Sequence, residues 1–329
     1  MSHPRKVSDS PVGPLPVDAV LDQLKTALRS GAGAVLHAPP GAGKTTRVPL
    51  RLLGEPWLKG RKILMLEPRR LAARAAARRM ADTIGEAVGR TIGYRVRLDT
   101  RVGPATRIEV LTEGVLTRML QSDPGLTGVG LVIFDEFHER HLESDLGLAL
   151  CLDLQGVLNP ELRILVMSAT FETEPVAQLL GGAAVIRCAG RSFPVSTHHA
   201  SPRRENPIES AVADAVLSAA QAEPGSILAF LPGAAEIRRV LAMLQSARLG
   251  PEWLLLPLFG NLSREEQDQA IAPAPAGRRK IVLATNIAET SLTIEGIRVV
   301  VDSGFMRAPR FDVRSGMARL TTLPVSKAS

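Results

Sequence analysis

Two adjacent carboxylates, Asp135 and Glu136, follow an apolar run in LVIFDEFHER, residues 131–140. In open α/β sheets ligands sit outside the carboxyl ends of strands. An acid at such a place can hold a divalent cation, and its neighbour can orient and deprotonate an attacking water. Acids end many strands, so the pair gains meaning from a second feature, APPGAGKTT at 38–46. That stretch follows a predicted strand and opens a predicted helix, the context a phosphate loop needs. Gly41, Ala42 and Gly43 form the turn, the glycines letting backbone N–H groups approach phosphate oxygens. Lys44 would place its ammonium on the β- and γ-phosphates, and the Thr45 hydroxyl would join Asp135 on Mg²⁺. Thr46 completes the loop at the helix N-terminus, whose positive end favours phosphate. The full G-x-x-x-x-G-K-[ST] pattern asks for glycine where this chain has Ala38, but the GxGKT core and its flanks remain. The plain alternative is a glycine-rich turn without nucleotide.

HERHL at 138–142 approaches the zinc-protease pattern H-E-x-x-H, but its second histidine falls at 141, one residue too early. Two histidines three apart with no third ligand nearby do not make that site. His138 reads instead as a polar link between the nucleotide site and whatever moves. Ser168, Ala169 and Thr170 end another apolar strand, where small hydroxyls can bond His138 or the acid pair.

The elements that must position these groups alternate along the chain. Apolar runs rich in β-branched residues occur at 34–38, 62–67, 107–112, 131–136 and 163–170, with helical patterns between them such as LAARAAARRMADTIG at 71–85. Continuous apolar strands alternating with helices predict an α/β fold with parallel sheets covered on both faces. A polar, loop-like stretch at 189–206 interrupts the pattern, which restarts at 226–232, 253–260, 280–286 and 297–304. Two successive α/β domains are expected, 17–190 and 191–329, after a polar, proline-rich lead over 1–16 expected to be disordered.

The 329 residues are 45% hydrophobic but only 3% aromatic, so the cores must rest on aliphatic side chains. Two cysteines, Cys151 and Cys188, make neither a disulfide framework nor a metal quartet, which fits a reducing, cytoplasmic setting. No apolar leader or membrane-length apolar stretch is seen, and a monomer is the default expectation. The net charge of +7 sits mainly in the first half, with twelve Arg or Lys against four acids between Arg61 and Arg107. Such a stripe suits a phosphate-backbone partner. Arginine-rich codon usage explains the charge equally well.

The order of motifs is more specific. GAGKTT, EPRRLAA (67–73), TEGVL (112–116), DEFH (135–138), SAT (168–170), FLPGAAEI (230–237) and ATNIAETSLTIEGI (284–297) resemble, in that order, superfamily-two helicases of the DEAH-box group. GYRVRLDTRVGPATRIEVLTEGVLTRML and VIFDEFHERHLESDLGLAL are similar to the bacterial HrpB-type ATP-dependent RNA helicases. The resemblance implies two RecA-like P-loop domains, ATP and Mg²⁺ as ligands, and a nucleic-acid strand, RNA by family, as partner. It puts the phosphate loop on Gly41 to Thr46, the metal-binding acid on Asp135, the catalytic base on Glu136 and the coupling histidine on His138. Strand contacts fall on Arg69 or Arg70, Thr112 and Glu113 in the first lobe, and on Gly233, Thr285 and Asn286 in the second. Contacts of this kind read backbone, not sequence, which suits a translocating motor. Arg74 and Arg78 share a helix face with Arg70, and a solvated face explains them equally well.

The chain departs from the group where Phe137 replaces alanine, and no upstream glutamine motif or base-stacking aromatic is seen, so adenine selectivity is expected to be poor. Its last residues, TTLPVSKAS, read as a final strand of the second lobe running into a further element. The family continues there into an Arg-rich sixth motif, Q-R-x-G-R-x-G-R in form, which these 329 residues do not contain. The expectation is a truncated second lobe, and a fragment that binds ATP–Mg²⁺ and RNA but turns ATP over poorly and unwinds inefficiently.

Overall fold

The computed structural model describes residues 13–169, 173–190, 194–199, 207–247, 249–289 and 294–326. The chain divides into two compact units, Met1–Pro194 and Val195–Ser329. The first unit contains, in chain order, α1 (Leu21–Ser30), β1 (Gly33–His37), α2 (Lys44–Leu52), β2 (Lys62–Glu67), α3 (Arg70–Thr83), β3 (Ile92–Val96) and β4 (Asp99–Arg101). These are followed by β5 (Ile108–Thr112), α4 (Glu113–Ser122), β6 (Val129–Phe134), α5 (Leu142–Val157), β7 (Arg163–Ser168), α6 (Glu174–Leu179) and β8 (Ala184–Arg187).

The strands form one sheet in the order β4-β3-β5-β2-β6-β7-β1-β8, parallel throughout apart from the antiparallel β3–β4 pair. Side chains alternate across a strand, and the two cores record that alternation. Ala34, Leu36, Ile63, Met65, Leu131 and Ile133 face α1 and the alanine side of α3, where Ala73, Ala77 and Met80 are buried. Val35, Leu64, Leu66, Val132 and Phe134 face the opposite way, among Leu116, Leu148, Cys151 and Leu154 of α4 and α5. Strands buried on both faces must be continuously apolar, which is why those runs were legible in sequence. The β3–β4 hairpin and β8 were not anticipated; β4 and β8 are short strands at the two sheet edges. The lead expected to be disordered through 16 is corrected at its end: Pro16 opens a short 3₁₀ turn, and Leu15 N–H donates to Asp18 at 2.9 Å.

The second unit runs α7 (Ile208–Ala222), β9 (Ser226–Phe230), α8 (Ala234–Ser246), β10 (Trp253–Leu258), α9 (Arg264–Ile271), β11 (Arg279–Ala284) and β12 (Ile297–Asp302), then β13 (Phe305–Asp312) and β14 (Met317–Pro324). Its parallel sheet has the order β10-β11-β9-β12. The expected last strand is corrected in kind. Residues 321–324 lie in β14, which pairs antiparallel with β13 as a separate two-stranded sheet; residues 327–329 lie outside the described residues. Neither strand of that hairpin has a buried side chain, which left no burial pattern to read.

Candidate nucleotide site and nucleic-acid contacts

The strand order brings the chemistry together. β6, β7 and β1 are neighbours, so the turns after their carboxyl ends converge although they are far apart in sequence. The loop after β1 has left-handed backbone at Gly41 (φ +77°) and Gly43 (φ +90°), a conformation glycine adopts at little cost. Gly43 caps the N-terminus of α2, and a Cβ there would meet Leu15 Cδ1 at 2.6 Å, so alanine would have to displace the Leu15 side chain as well as adopt left-handed backbone. Arg47 of α2 donates to Asp18 at 3.0 Å, and burial, which raises the Asp18 pKa, is outweighed by Arg47 so that it ends below its ordinary value. The 3₁₀ turn is thereby fastened to the back of the loop.

Lys44 Nζ donates to Glu136 Oε1 at 2.7 Å, and Thr45 Oγ1 donates to Asp135 Oδ2 at 2.6 Å. Burial opposes the Lys44 charge, but Asp135 and Glu136 outweigh it and hold its pKa above the ordinary value. Burial and the Asp135 charge push the Glu136 pKa upward against the pull of Lys44. Glu136 also has φ +50°, and left-handed backbone costs a non-glycine residue about 1–2 kcal/mol. Its N–H donates to Asp135 Oδ1 at 2.8 Å, which holds that turn together. The strained residue is the one whose carboxylate must face the loop.

His138 lies in the 3₁₀ turn Phe137–Glu139. Ala169 N–H donates to its Nδ1 at 3.3 Å, so the imidazole proton sits on Nε2, and Nε2 is 3.5 Å from Glu136 Oε2. Burial and the Lys44 charge lower the His138 pKa and favour the neutral ring. A backbone N–H thus links the end of β7 to His138. Ser168 is buried; Thr170 lies outside the described residues.

Sequence reasoning missed Glu67, the last residue of β2. It is fully buried and no donor reaches either carboxyl oxygen. Burial, then the charges of Asp135 and Glu136, push its pKa well above the usual carboxylate range. Its sequence signals were a charged residue ending the run KILMLE and its place at the head of EPRRLAA.

The candidate strand contacts of the first unit lie at the carboxyl ends of β2 and β5, adjacent in the sheet, with β2 next to β6. Arg70 is exposed, whereas Arg69 lies 3.3 Å from Glu139 Oε2. Thr112 is half-buried and caps α4. Glu113 is buried and accepts from Ser144 Oγ at 2.5 Å. In the second unit, Gly233 follows β9 and Thr285 and Asn286 follow the adjacent β11, joined by Leu231 N–H donating to Ala284 O at 2.8 Å. A Cβ on Gly233 would meet both Arg307 Nη1 and Glu236 Oε2 at 3.0 Å. His138 and His141 face different carboxylates, and among the described residues no cluster of three or more His, Cys, Asp or Glu can hold a metal ion. No helix among them is long and apolar enough to cross a membrane.

Comparison with known proteins agrees with this arrangement. Residues 20–179 match the DEAD/DEAH box helicase family, and residues 209–315 match the helicase conserved C-terminal domain. The ATP-dependent RNA helicase HrpB of Escherichia coli is 54% identical over 315 residues, covering 96% of this chain and 39% of that protein. Human ATP-dependent RNA helicase DHX30 is 39% identical, covering 96% of this chain and 29% of its own length. A crystal structure of the E. coli DEAH/RHA helicase HrpB superposes with a TM-score of 0.88 over 95% of this chain and 40% of that one. The chain therefore spans less than half of these relatives. With both helicase domains in order and the phosphate loop and acid pair brought into contact, the chain belongs to the DEAD/DEAH box helicase family and is similar within it to HrpB.

Proposed function

We propose that the first unit binds ATP–Mg²⁺ and supplies the base for its hydrolysis, slow in these 329 residues alone, and that in the whole protein nucleic acid, RNA in preference to DNA, stimulates the reaction. In the whole protein this turnover drives strand translocation and unwinding in the cytoplasm. The observation that supports this most directly is the paired contact of Lys44 with Glu136 and Thr45 with Asp135, at 2.7 and 2.6 Å. A hydroxyl and a carboxylate already side by side suit Mg²⁺, an oxygen-seeking cation. Thr45 and Asp135 would hold the ion, which neutralises phosphate charge when bound.

Phosphate oxygens compete with Glu136 for the Lys44 ammonium and so release the Glu136 carboxylate. With its pKa raised, that carboxylate is a stronger base than an ordinary glutamate. It takes a proton from water as the water oxygen bonds to the γ-phosphorus; the bond to the bridging oxygen breaks, and ADP and phosphate leave. His138 Nε2–H steadies the same carboxylate. Relatives named ATP-dependent RNA helicases support the RNA assignment.

Binding of a fluorescent ATP analogue and phosphate release, with and without poly(U), test the proposal. Lys44→Ala should abolish binding. Glu136→Gln should keep binding and lower turnover by about 10²–10⁴, the usual contribution of a general base. Wild-type nucleotide binding in Lys44→Ala, or turnover surviving Glu136→Gln, would overturn it.

A further inference from the structure

His141, set aside above as half of a false zinc pattern, occupies a place that the nucleotide chemistry does not use. Its Nε2 lies 3.3 Å from Glu139 Oε2, and its Nδ1 lies 3.5 Å from Glu113 Oε1. Glu139 closes the 3₁₀ turn that carries His138, directly beyond Glu136, and its Oε2 also faces Arg69 Nη2 at 3.3 Å. Glu113 is the first residue of α4 and accepts from Ser144 of α5. One imidazole therefore stands between the turn behind the acid pair and the start of α4. The same turn grips Arg69 ahead of α3. Both carboxylates are largely buried, whereas 38% of the His141 side chain is exposed, so water screens these contacts in part.

We infer that His141 is a positioning residue that couples the nucleotide site to the strand-binding edge, by tying the 137–139 turn to Arg69 and to the Thr112–Glu113 corner. The inference rests on the functional reading above. A shift of the turn as nucleotide arrives is passed through Glu139 to Arg69 and, through His141, to the start of α4. A purely structural role is less suited to the geometry, because the start of α5 has anchors of its own. Ser144 bonds Glu113, and Arg140 lies 2.9 Å from Asp145.

The substitutions follow from the imidazole geometry. In His141→Asn the amide can stand where Nδ1 stood, toward Glu113, but does not reach Glu139. In His141→Gln it can stand where Nε2 stood and keeps only Glu139. Asparagine is also a strong helix N-cap, and His141 is the N-cap of α5, so a structural role would be served or improved by it. The measurement is the affinity of the 329-residue chain for a fluorescein-labelled oligouridylate, by anisotropy, with and without a non-hydrolysable ATP analogue and Mg²⁺.

The wild-type chain should show an affinity ratio of about fivefold or more between the two conditions, the lower end of usual coupling. Both variants should melt with the wild type and bind the nucleotide alone as it does, while their ratio falls towards one. A variant that keeps the wild-type ratio overturns the inference, as does a wild-type ratio of one with both ligands bound, and ATP and RNA binding survive either result. A wild-type chain that binds no oligonucleotide overturns the functional reading and this inference together.

Discussion

At the scale of single residues, the site is organised by charge in a dry place. Lys44, Asp135, Glu136 and Glu67 are all buried, and only one of the four is a cation. The lysine is thus the sole positive side chain among three acids, and removing it leaves carboxylates buried together, a situation that costs several kcal/mol elsewhere. Lys44→Met should therefore lower the melting temperature of the first unit as well as abolish nucleotide binding, and calorimetry without ligand checks it. A stability unchanged from wild type would show that the acids do not depend on Lys44. Glu136 adds a second residue-scale feature. Its positive φ makes the backbone part of the site. Glu136→Gly relieves about 1–2 kcal/mol of strain but strips Lys44 of its 2.7 Å buried partner, a loss of about 3–5 kcal/mol. Calorimetry should therefore show a net loss of stability.

At the scale of elements, buried charges lock strands and helices together. Glu109 of β5 accepts from Lys62 of β2 at 2.7 Å and from Arg95 of β3 at 2.7 Å, which holds the short β3 to the rest of the sheet. Burial raises the Glu109 pKa, but hydrogen bonds from Lys62 and Arg95 outweigh it and bring it below the ordinary 4.5. A carboxylate with a depressed folded pKa contributes stability that is present above 4.5 and lost as pH falls through the folded value. Glu109→Gln should therefore be less stable than wild type at pH 7, with the two melting temperatures converging as pH falls below 4.5 and through the lowered folded pKa. A gap that stays constant with pH would disprove the assignment.

In the second unit, Lys280 is fully buried. Its ammonium donates to the carbonyls of Ala270, at 3.0 Å, and Ala272, at 2.6 Å, where α9 ends. A cation at a helix C-terminus satisfies orphan carbonyls and favours the dipole. Lys280→Met leaves those carbonyls unpaired, and should cost about 1–3 kcal/mol, read by urea denaturation. Sequence periodicity could not have singled out this lysine, which precedes an apolar strand much as a surface residue would.

At the scale of the whole molecule, each unit carries its own sheet and core, and residues 194–199 are exposed without regular structure. Limited proteolysis should cut first in that neighbourhood, and the first unit alone should still bind ATP–Mg²⁺, since Lys44, Thr45, Asp135 and Glu136 all lie within it. A purified first unit that fails to bind a fluorescent ATP analogue would contradict this. Much of the arrangement was legible beforehand. The runs at 62–67 and 226–232 match β2 and β9 to within two residues, because buried parallel strands must be apolar throughout. The loop at 38–46 was legible because backbone that cradles phosphate requires glycine at particular positions.

The sequence by itself determined the parts whose local chemistry is specific: the phosphate loop, the acid pair at a strand end, the two α/β stretches and the motif order. Only the tertiary structure decided which parts meet. The order β5-β2-β6-β7-β1 sets the phosphate loop against Asp135 and Glu136, and sets the Arg69 and Glu113 corners beside them. It also turned Glu113 inward and buried Glu67 beneath the acids. It left β13 and β14 as an exposed antiparallel pair and placed His141 between two carboxylates. The physical reason is that strand adjacency is set by how crossovers pack both faces of a sheet, a non-local balance of burial. Of the two carboxylates at His141, Glu139 is two residues away, but Glu113 comes from the start of α4 and leaves no trace along the 138–142 segment.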